Sequence, residues 1–152
     1  MIVIRQVDPT RTEVIELIHQ LDEYQNAMYP PESNQLDSID ELRQTNVIFI
    51  AAYDDSEIFG IGAVKVLEDY GEIKRLYVPE KYRGKRIANE IVRELENCLV
   101  KRSIFTARLE TGIHQHEAIA LYKKLGYSEI APFGNYTEDP LSVFMEKKIG
   151  WK

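Results

Sequence analysis

Four basic side chains, Lys81, Arg83, Lys85 and Arg86, crowd around Gly84 just ahead of an apolar helical pattern that begins at Ile87. At a helix start the first N–H groups lack intrahelical partners, and the helix dipole adds partial positive charge. A loop tightened by Gly84 brings those groups close to a bound anion, and the basic side chains add Coulomb attraction. The chemistry served by this spacing is capture of a phosphate or diphosphate. The competing reading is a solvated helix start whose lysines serve solubility. The segment is not a Walker loop, because no Gly-Lys-Ser/Thr follows, and it lacks the three-glycine spacing of the dinucleotide fingerprint. His114 and His116 flank Gln115, but two histidines without a third ligand make a poor metal site, so no metal is expected. Cys98 falls in the helical pattern as a small buried apolar residue, with nothing beside it to activate a thiol.

These groups need elements to hold them. IVIRQV near the start reads as a strand, and DPTRTEV opens a helix with Thr10 and Glu13 at capping-box spacing. Val14, Ile18 and Leu21 fall on one face of that helix. AMYPPESNQL ends it with two prolines, and Ser38 to Leu42 is a candidate short helix. VIFIAAY, IFGIGAVKVL and IKRLYV follow as strands joined by the tight turns DDSE and DYGE, the pattern of an antiparallel meander. From about Gly84 to Arg102 the spacing is helical, with Ile87, Ile91, Leu95 and Cys98 on one side and Ala88, Val92 and Leu99 beside it. IFTARLE is a strand. EAIALYKKLGY is a helix carrying Ala118, Leu121, Tyr122 and Leu125 on one stripe, with Gly126 as its left-handed stop. SVFMEKKI is a final strand. The expected fold class is a single mixed α/β (α+β) domain over residues 1–152, with helices covering the sheet.

The chain has 152 residues, room for one compact domain. Its formal net charge of -6 argues against nucleic acid as a partner, since phosphate contacts need a basic face. No apolar run approaches the ~20 residues of a membrane span, so no membrane partner is expected. The first residues lack the pattern of a secretion signal. The single cysteine suits a reducing, cytoplasmic location.

RLYVPEKYRGKRIANEIV resembles motif A of the GNAT superfamily, the acetyl-CoA-dependent N-acetyltransferases, whose pattern is Gln/Arg-x-x-Gly-x-Gly/Ala. Arg83 matches the first position and Ala88 the last, while Arg86 stands at the usual glycine. RLETGIHQHEAIALYKKLGY resembles the other signature of the family, in which an Asn precedes Ala-x-x-Leu-Tyr-x-x-x-Gly-Phe/Tyr. Gln115 stands where that Asn is usual. The two blocks occur in the family's order, and the element order of the rest also fits.

The resemblance implies a mainly antiparallel central sheet with helices on both faces and a splayed strand pair that binds the cofactor. Leu76, Tyr77 and Val78 would pair with the pantetheine arm of acetyl-CoA, and an N–H there would polarise the thioester carbonyl. The N–H groups of Arg83, Gly84, Lys85, Arg86, Ile87, Ala88 and Asn89 would hold the diphosphate, with Gln115 reaching the cofactor by its side chain. Lys74 and Arg75 join the same basic cluster, read as serving the CoA phosphates. Tyr122 sits at the family's general acid, against the simpler reading of a core tyrosine. Glu110 ends a strand where some members carry the base, against a solvated carboxylate. Glu72, Glu32 and ordered water are weaker alternatives. Acceptors of the family enter between the first helix pair and the last hairpin, here Tyr29, Glu32, Ser33 and Asn34 facing Phe133 to Tyr136, with Tyr29, Glu32, Asn34 and Tyr136 expected to bind substrate. The two segments also read as ordinary turns. The implied function is transfer of acetyl from acetyl-CoA to a primary amine of a small molecule or peptide, by direct attack in a ternary complex. The alternative is a catalytically silent CoA-ester-binding sensor or interaction module. Family members are commonly dimers, so a homodimer is admitted.

Overall fold

A computed structural model describes residues 1–33 and 36–150. The elements run β1 (Val3–Gln6), α1 (Thr12–Met28), α2 (Ile39–Leu42), β2 (Val47–Asp54), β3 (Glu57–Val66), β4 (Gly71–Tyr77), α3 (Ile87–Lys101), β5 (Thr106–Gly112), α4 (His116–Lys124), β6 (Ser128–Ile130) and β7 (Ser142–Lys148). They form a seven-stranded sheet in the order β1-β2-β3-β4-β5-β7-β6. All neighbouring pairs are antiparallel except β4 with β5. The sequence reading expected a last hairpin but assigned no residues to its first strand, which is β6. Its three residues are short and largely exposed, so they carry no alternation to detect.

The continuous apolar run of β2 exists because helices cover both faces of the sheet. Ile48, Ile50 and Ala52 pack on one face against Ile91, Val92, Leu95 and Leu99 of α3. Phe49, Ala51 and Tyr53 alternate to the other face and meet Val14, Leu17 and Ile18 of α1 and Leu42 of α2. Cys98 is half-buried rather than buried, and its thiol reaches the Glu94 carboxylate at 3.8 Å.

Two helix starts differ from expectation. The N-cap of α1 is Arg11, with no side-chain cap. The Thr10 hydroxyl and N–H both donate to Asp8 Oδ1, at 2.7 and 2.9 Å. Glu13 instead accepts from Arg11 and from the Tyr53 hydroxyl. Asp8, two residues upstream, is the nearer acceptor and wins the local competition. The capping box that does form is Ser38 with Glu41 at α2. Helix α3 starts at Ile87 rather than near Gly84, because Gly84 and Arg86 have φ of +83° and +64°. Gly126 has φ +102°, as a left-handed helix stop requires. Among the described residues no helix is long and apolar enough to cross a membrane. Trp151 lies outside the described residues.

Candidate active site

The parallel pairing of β4 with β5 covers Gly71↔Ala107, Glu72↔Arg108 and Ile73↔Leu109 and then stops. Beyond it the two strands diverge, and the backbone of Lys74 to Tyr77 faces a gap. The other edge of β4 carries a bulge. Ala63 pairs with Lys74 but Ile61 with Tyr77, so β4 holds one residue more than β3. Arg75 absorbs the mismatch with φ +56°, a conformation that costs a non-glycine residue about 1–2 kcal/mol. The bulge also re-aims a side chain: Lys74 and Arg75, consecutive on a strand, line the same cavity.

On one side of the splay lies a groove of about 660 Å³. Leu76, Tyr77 and Val78 form its β4 wall, and Arg83, Gly84, Arg86, Ile87, Ala88 and Asn89 the end at the helix-start loop. Gln115, Ala118 and Leu121 come from the α4 side, with His114 and His116 beside them. Of the expected cofactor set only Lys85 is not part of the lining; its ammonium lies 5.9 Å from the Phe59 ring centre. The first intrahelical bond of α3 runs from Glu90 N–H to Arg86 O at 3.1 Å. The N–H groups of Ile87, Ala88 and Asn89 therefore have no partner inside the helix. The Arg83 N–H does not belong with them, because it donates to Glu80 O at 3.1 Å in a tight turn. Arg83 acts through its side chain, whose Nε donates to Val78 O at 2.9 Å and ties the loop to the end of β4. Arg86 takes up the left-handed conformation a glycine would favour, so the loop path survives the substitution. Gln115 Oε1 accepts from Gly112 N–H at 3.0 Å, which commits that oxygen to its own turn.

On the other side is a smaller cavity of about 90 Å³. It is lined by Tyr29, Asp37, Glu72, Lys74, Arg75, Glu110, Tyr122 and Tyr136, and it shares Leu21, Leu76, Gln115 and Ala118 with the groove. The two spaces thus meet at the splay. Glu110 accepts from Ser142 Oγ at 2.8 Å. Burial raises its pKa above the ordinary carboxyl value; the Ser142 bond opposes the rise and the Glu72 charge adds to it. Glu72 is 6% exposed and accepts from the Tyr136 hydroxyl at 2.5 Å. Lys74 Nζ donates to Asp37 Oδ1 at 2.8 Å and lies 3.5 Å from Glu72. Burial works against its ammonium, but the Glu72 charge and the Asp37 hydrogen bond outweigh this and raise its pKa. Tyr122 lies one helical turn beyond Ala118 and is buried; burial, then the Glu110 charge, pushes its phenol upward.

The substrate-side expectations divide. Tyr136 lines the cavity. So does Tyr29, whose hydroxyl accepts from His114 N–H at 3.1 Å and rests where a Cβ on residue 112 would collide, so Gly112 is required there. Glu32 is exposed and lines neither space. Asn34 lies outside the described residues. Phe133 packs edge-on against Tyr70, Tyr136 and Phe144. Lys74 and Arg75 do not join the phosphate loop, as the basic cluster suggested, but line the smaller cavity. Strand alternation puts Lys74 on the face of Glu72, a signal present in the sequence; the bulge that brings in Arg75 leaves none.

The sequence pattern of the acetyltransferase (GNAT) family matches residues 14–127. The chain is 35% identical over 150 residues to the "IAA acetyltransferase" of Azospirillum brasilense, covering 97% of this chain and 98% of that protein. It is 32% identical over 145 residues to the uncharacterized N-acetyltransferase YsnE of Bacillus subtilis, covering 93% and 96%. A crystal structure from Klebsiella pneumoniae, provisionally named an acyl-CoA N-acyltransferase, superposes with a TM-score of 0.83 at 38% identity over 99% of both chains. The Thermoplasma acidophilum PaiA N-acetyltransferase, solved with coenzyme A, shares the fold at a TM-score of 0.77 and 21% identity, covering 97% of this chain and 99% of that one. With its strand splay, its helix-start loop and these relatives, the chain belongs to the acetyltransferase (GNAT) family and is an acetyl-CoA-dependent N-acetyltransferase.

Proposed function

We propose that the protein transfers acetyl from acetyl-CoA to a primary amine of a small molecule or peptide, by direct attack within a ternary complex. The observation that carries this reading is the meeting of two spaces at the splay, one suited to a cofactor and one polar. The diphosphate would lie on the N–H groups of Ile87, Ala88 and Asn89, and the pantetheine along Leu76 to Val78. The amine would enter through the cavity of Glu72, Glu110 and Tyr136. That a relative from Thermoplasma acidophilum is named a spermidine N(1)-acetyltransferase is in keeping with an amine acceptor.

An alkylamine at neutral pH is nearly all ammonium, and freeing its base form costs roughly 4–5 kcal/mol. Glu110 takes that proton, and burial makes it a better base than an ordinary carboxylate. The nitrogen lone pair then attacks the thioester carbon, and the nitrogen sheds its second proton to water as the C–S bond breaks. Tyr122 stays protonated across the physiological range and gives its proton to the departing thiolate sulfur. Glu110 afterwards returns its proton to the Tyr122 phenolate, so that one proton is released per turnover. A cytoplasmic site of action and a homodimeric state belong to the same proposal.

The test is release of free CoA thiol from acetyl-CoA across amino acids, polyamines, aminoglycosides and peptide amines. Amine-dependent release is expected. Calorimetric binding of acetyl-CoA with no release for any amine would reject the proposal in favour of a silent binding module.

A further inference from the structure

A cavity meant only for a cationic amine would be walled by carboxylates and neutral acceptors. This one carries both signs on adjacent residues. Glu72 and Glu110 stand on the two diverging strands, with Lys74 and Arg75 beside them. Two consecutive cations reach one small space only because β4 bulges and Arg75 holds φ +56°. Strained backbone of this kind persists where the surroundings enforce it, often at functional sites.

The cations are held firmly but not used up. The Arg75 side chain is 5% exposed, lies 2.6 Å from Asp22, and donates from Nη2 to Asp37 O at 2.9 Å. Its buried Nε has no hydrogen-bond partner among the described residues. Leaving such a donor unmade is costly. Lys74 has three donors. One goes to Asp37 at 2.8 Å. The Glu72 contact at 3.5 Å is looser, and the same carboxylate oxygen already takes the Tyr136 hydroxyl. Lys74 therefore keeps donor capacity toward the cavity, with Arg75 buttressing the positive side through Asp37.

We infer that the acceptor is a free amino acid, its carboxylate received by Lys74 and its amine presented to Glu110. This rests on the acetyl-transfer reading above and narrows its acceptor class. Glu110 and Lys74 line one small cavity from the two diverging strands, so a single zwitterion can meet both. The space of about 90 Å³ is small and lined by charged and hydroxyl groups, which suits a compact zwitterionic head. A peptide N-terminus offers an amide where the carboxylate would sit, and a polyamine offers a second cation. The amide carbonyl gives Lys74 only a neutral acceptor and the second cation gives it none, so neither forms the charge-assisted bond a carboxylate makes.

The test compares kcat/KM, by thiol release, for matched pairs: alanine with alaninamide, leucine with leucinamide, lysine with cadaverine, and spermidine alone. The acids are expected to exceed their carboxylate-free partners by about ten- to a hundredfold, the loss of one charged hydrogen bond. An amino amide holds its amine more often as the free base, so amine basicity works against this preference and cannot create it. Lys74→Met is expected to bring the ratio of each pair toward one, with acetyl-CoA affinity retained by calorimetry. Should that variant fail to fold, the wild-type ratios decide alone. Equal rates within pairs, or preference for the amides or spermidine, overturn the amino-acid inference and leave acetyl transfer standing. Turnover of aminoglycosides or peptide amines but of no member of any pair overturns the amino-acid inference alone, and no turnover of any amine by protein that binds acetyl-CoA overturns both.

Discussion

Tyr122 and Glu110 face the same small cavity from α4 and β5, and each feels the other's charge or its own burial. If Tyr122 delivers the proton to sulfur, Tyr122→Phe lowers kcat by about 10²–10⁴ while the calorimetric affinity for CoA holds. An unchanged kcat would leave it a packing residue. Glu110 gives two coupled expectations. Its folded-state pKa is raised, so the stability it contributes is present below the ordinary carboxyl pKa and lost as pH rises through the raised value. Glu110→Gln removes the cost of ionising a buried carboxyl. It should raise Tm at pH 7 to 8 relative to wild type, with no gain near pH 4, while cutting kcat about 10²-fold. In the wild type, kcat/KM should fall as pH drops through a limb lying above the ordinary carboxyl range. A Tm that drops at pH 7 would show that the Ser142 bond outweighs burial.

At the level of elements, the phosphate loop shows how a departure from the family pattern is absorbed. Arg86 sits at the N-cap of α3 with φ +64°. A glycine there would escape a left-handed cost of about 1–2 kcal/mol but lose more backbone entropy on folding, about 0.5–1 kcal/mol. Arg86→Gly should therefore leave folding stability within about 1 kcal/mol of wild type. It should weaken acetyl-CoA binding several-fold, because a cation leaves the diphosphate end of the groove. Unchanged affinity would mean that backbone N–H groups and the dipole suffice. The bulge at Arg75 does the converse job on β4: it changes no charge, yet decides which cavity that charge enters.

Across the whole molecule, the groove walls come from β4, the loop before α3, α4 and, through Leu21 and Tyr24, α1. A ligand lying there bridges segments far apart in the chain and binds only once they are assembled. Acetyl-CoA at a hundredfold excess over its Kd should add about 2.7 kcal/mol of stability. For a chain of 152 residues at about 2–4 °C per kcal/mol, Tm should rise by roughly 5–11 °C in a thermal melt. A Tm indifferent to acetyl-CoA would reject the groove as its site.

Much was legible in the sequence because it rests on local chemistry. The apolar period of α3, the meander of β2 to β4, the glycine stop after α4 and the basic loop at a helix start are each written in consecutive residues. One wall of the groove, from Leu76 to Asn89, came from a single such stretch. Where two side chains competed for one local partner, as Asp8 did with Glu13 for Thr10, spacing alone misassigned the cap. The acceptor cavity could not be read the same way. Asp37, Glu72, Lys74, Glu110 and Tyr136 come from four separate segments, and their contacts exist only after the sheet forms. The placement of Arg75 depended on one extra residue in β4 relative to β3, a register that no local pattern encodes. The sequence by itself determined the family and the basic loop at a helix start, because helix starts and strand periods are properties of neighbours. Only the tertiary structure decided that Lys74 and Arg75 line the smaller cavity rather than the groove, because strand divergence and a bulge set which side of the sheet a charge can reach.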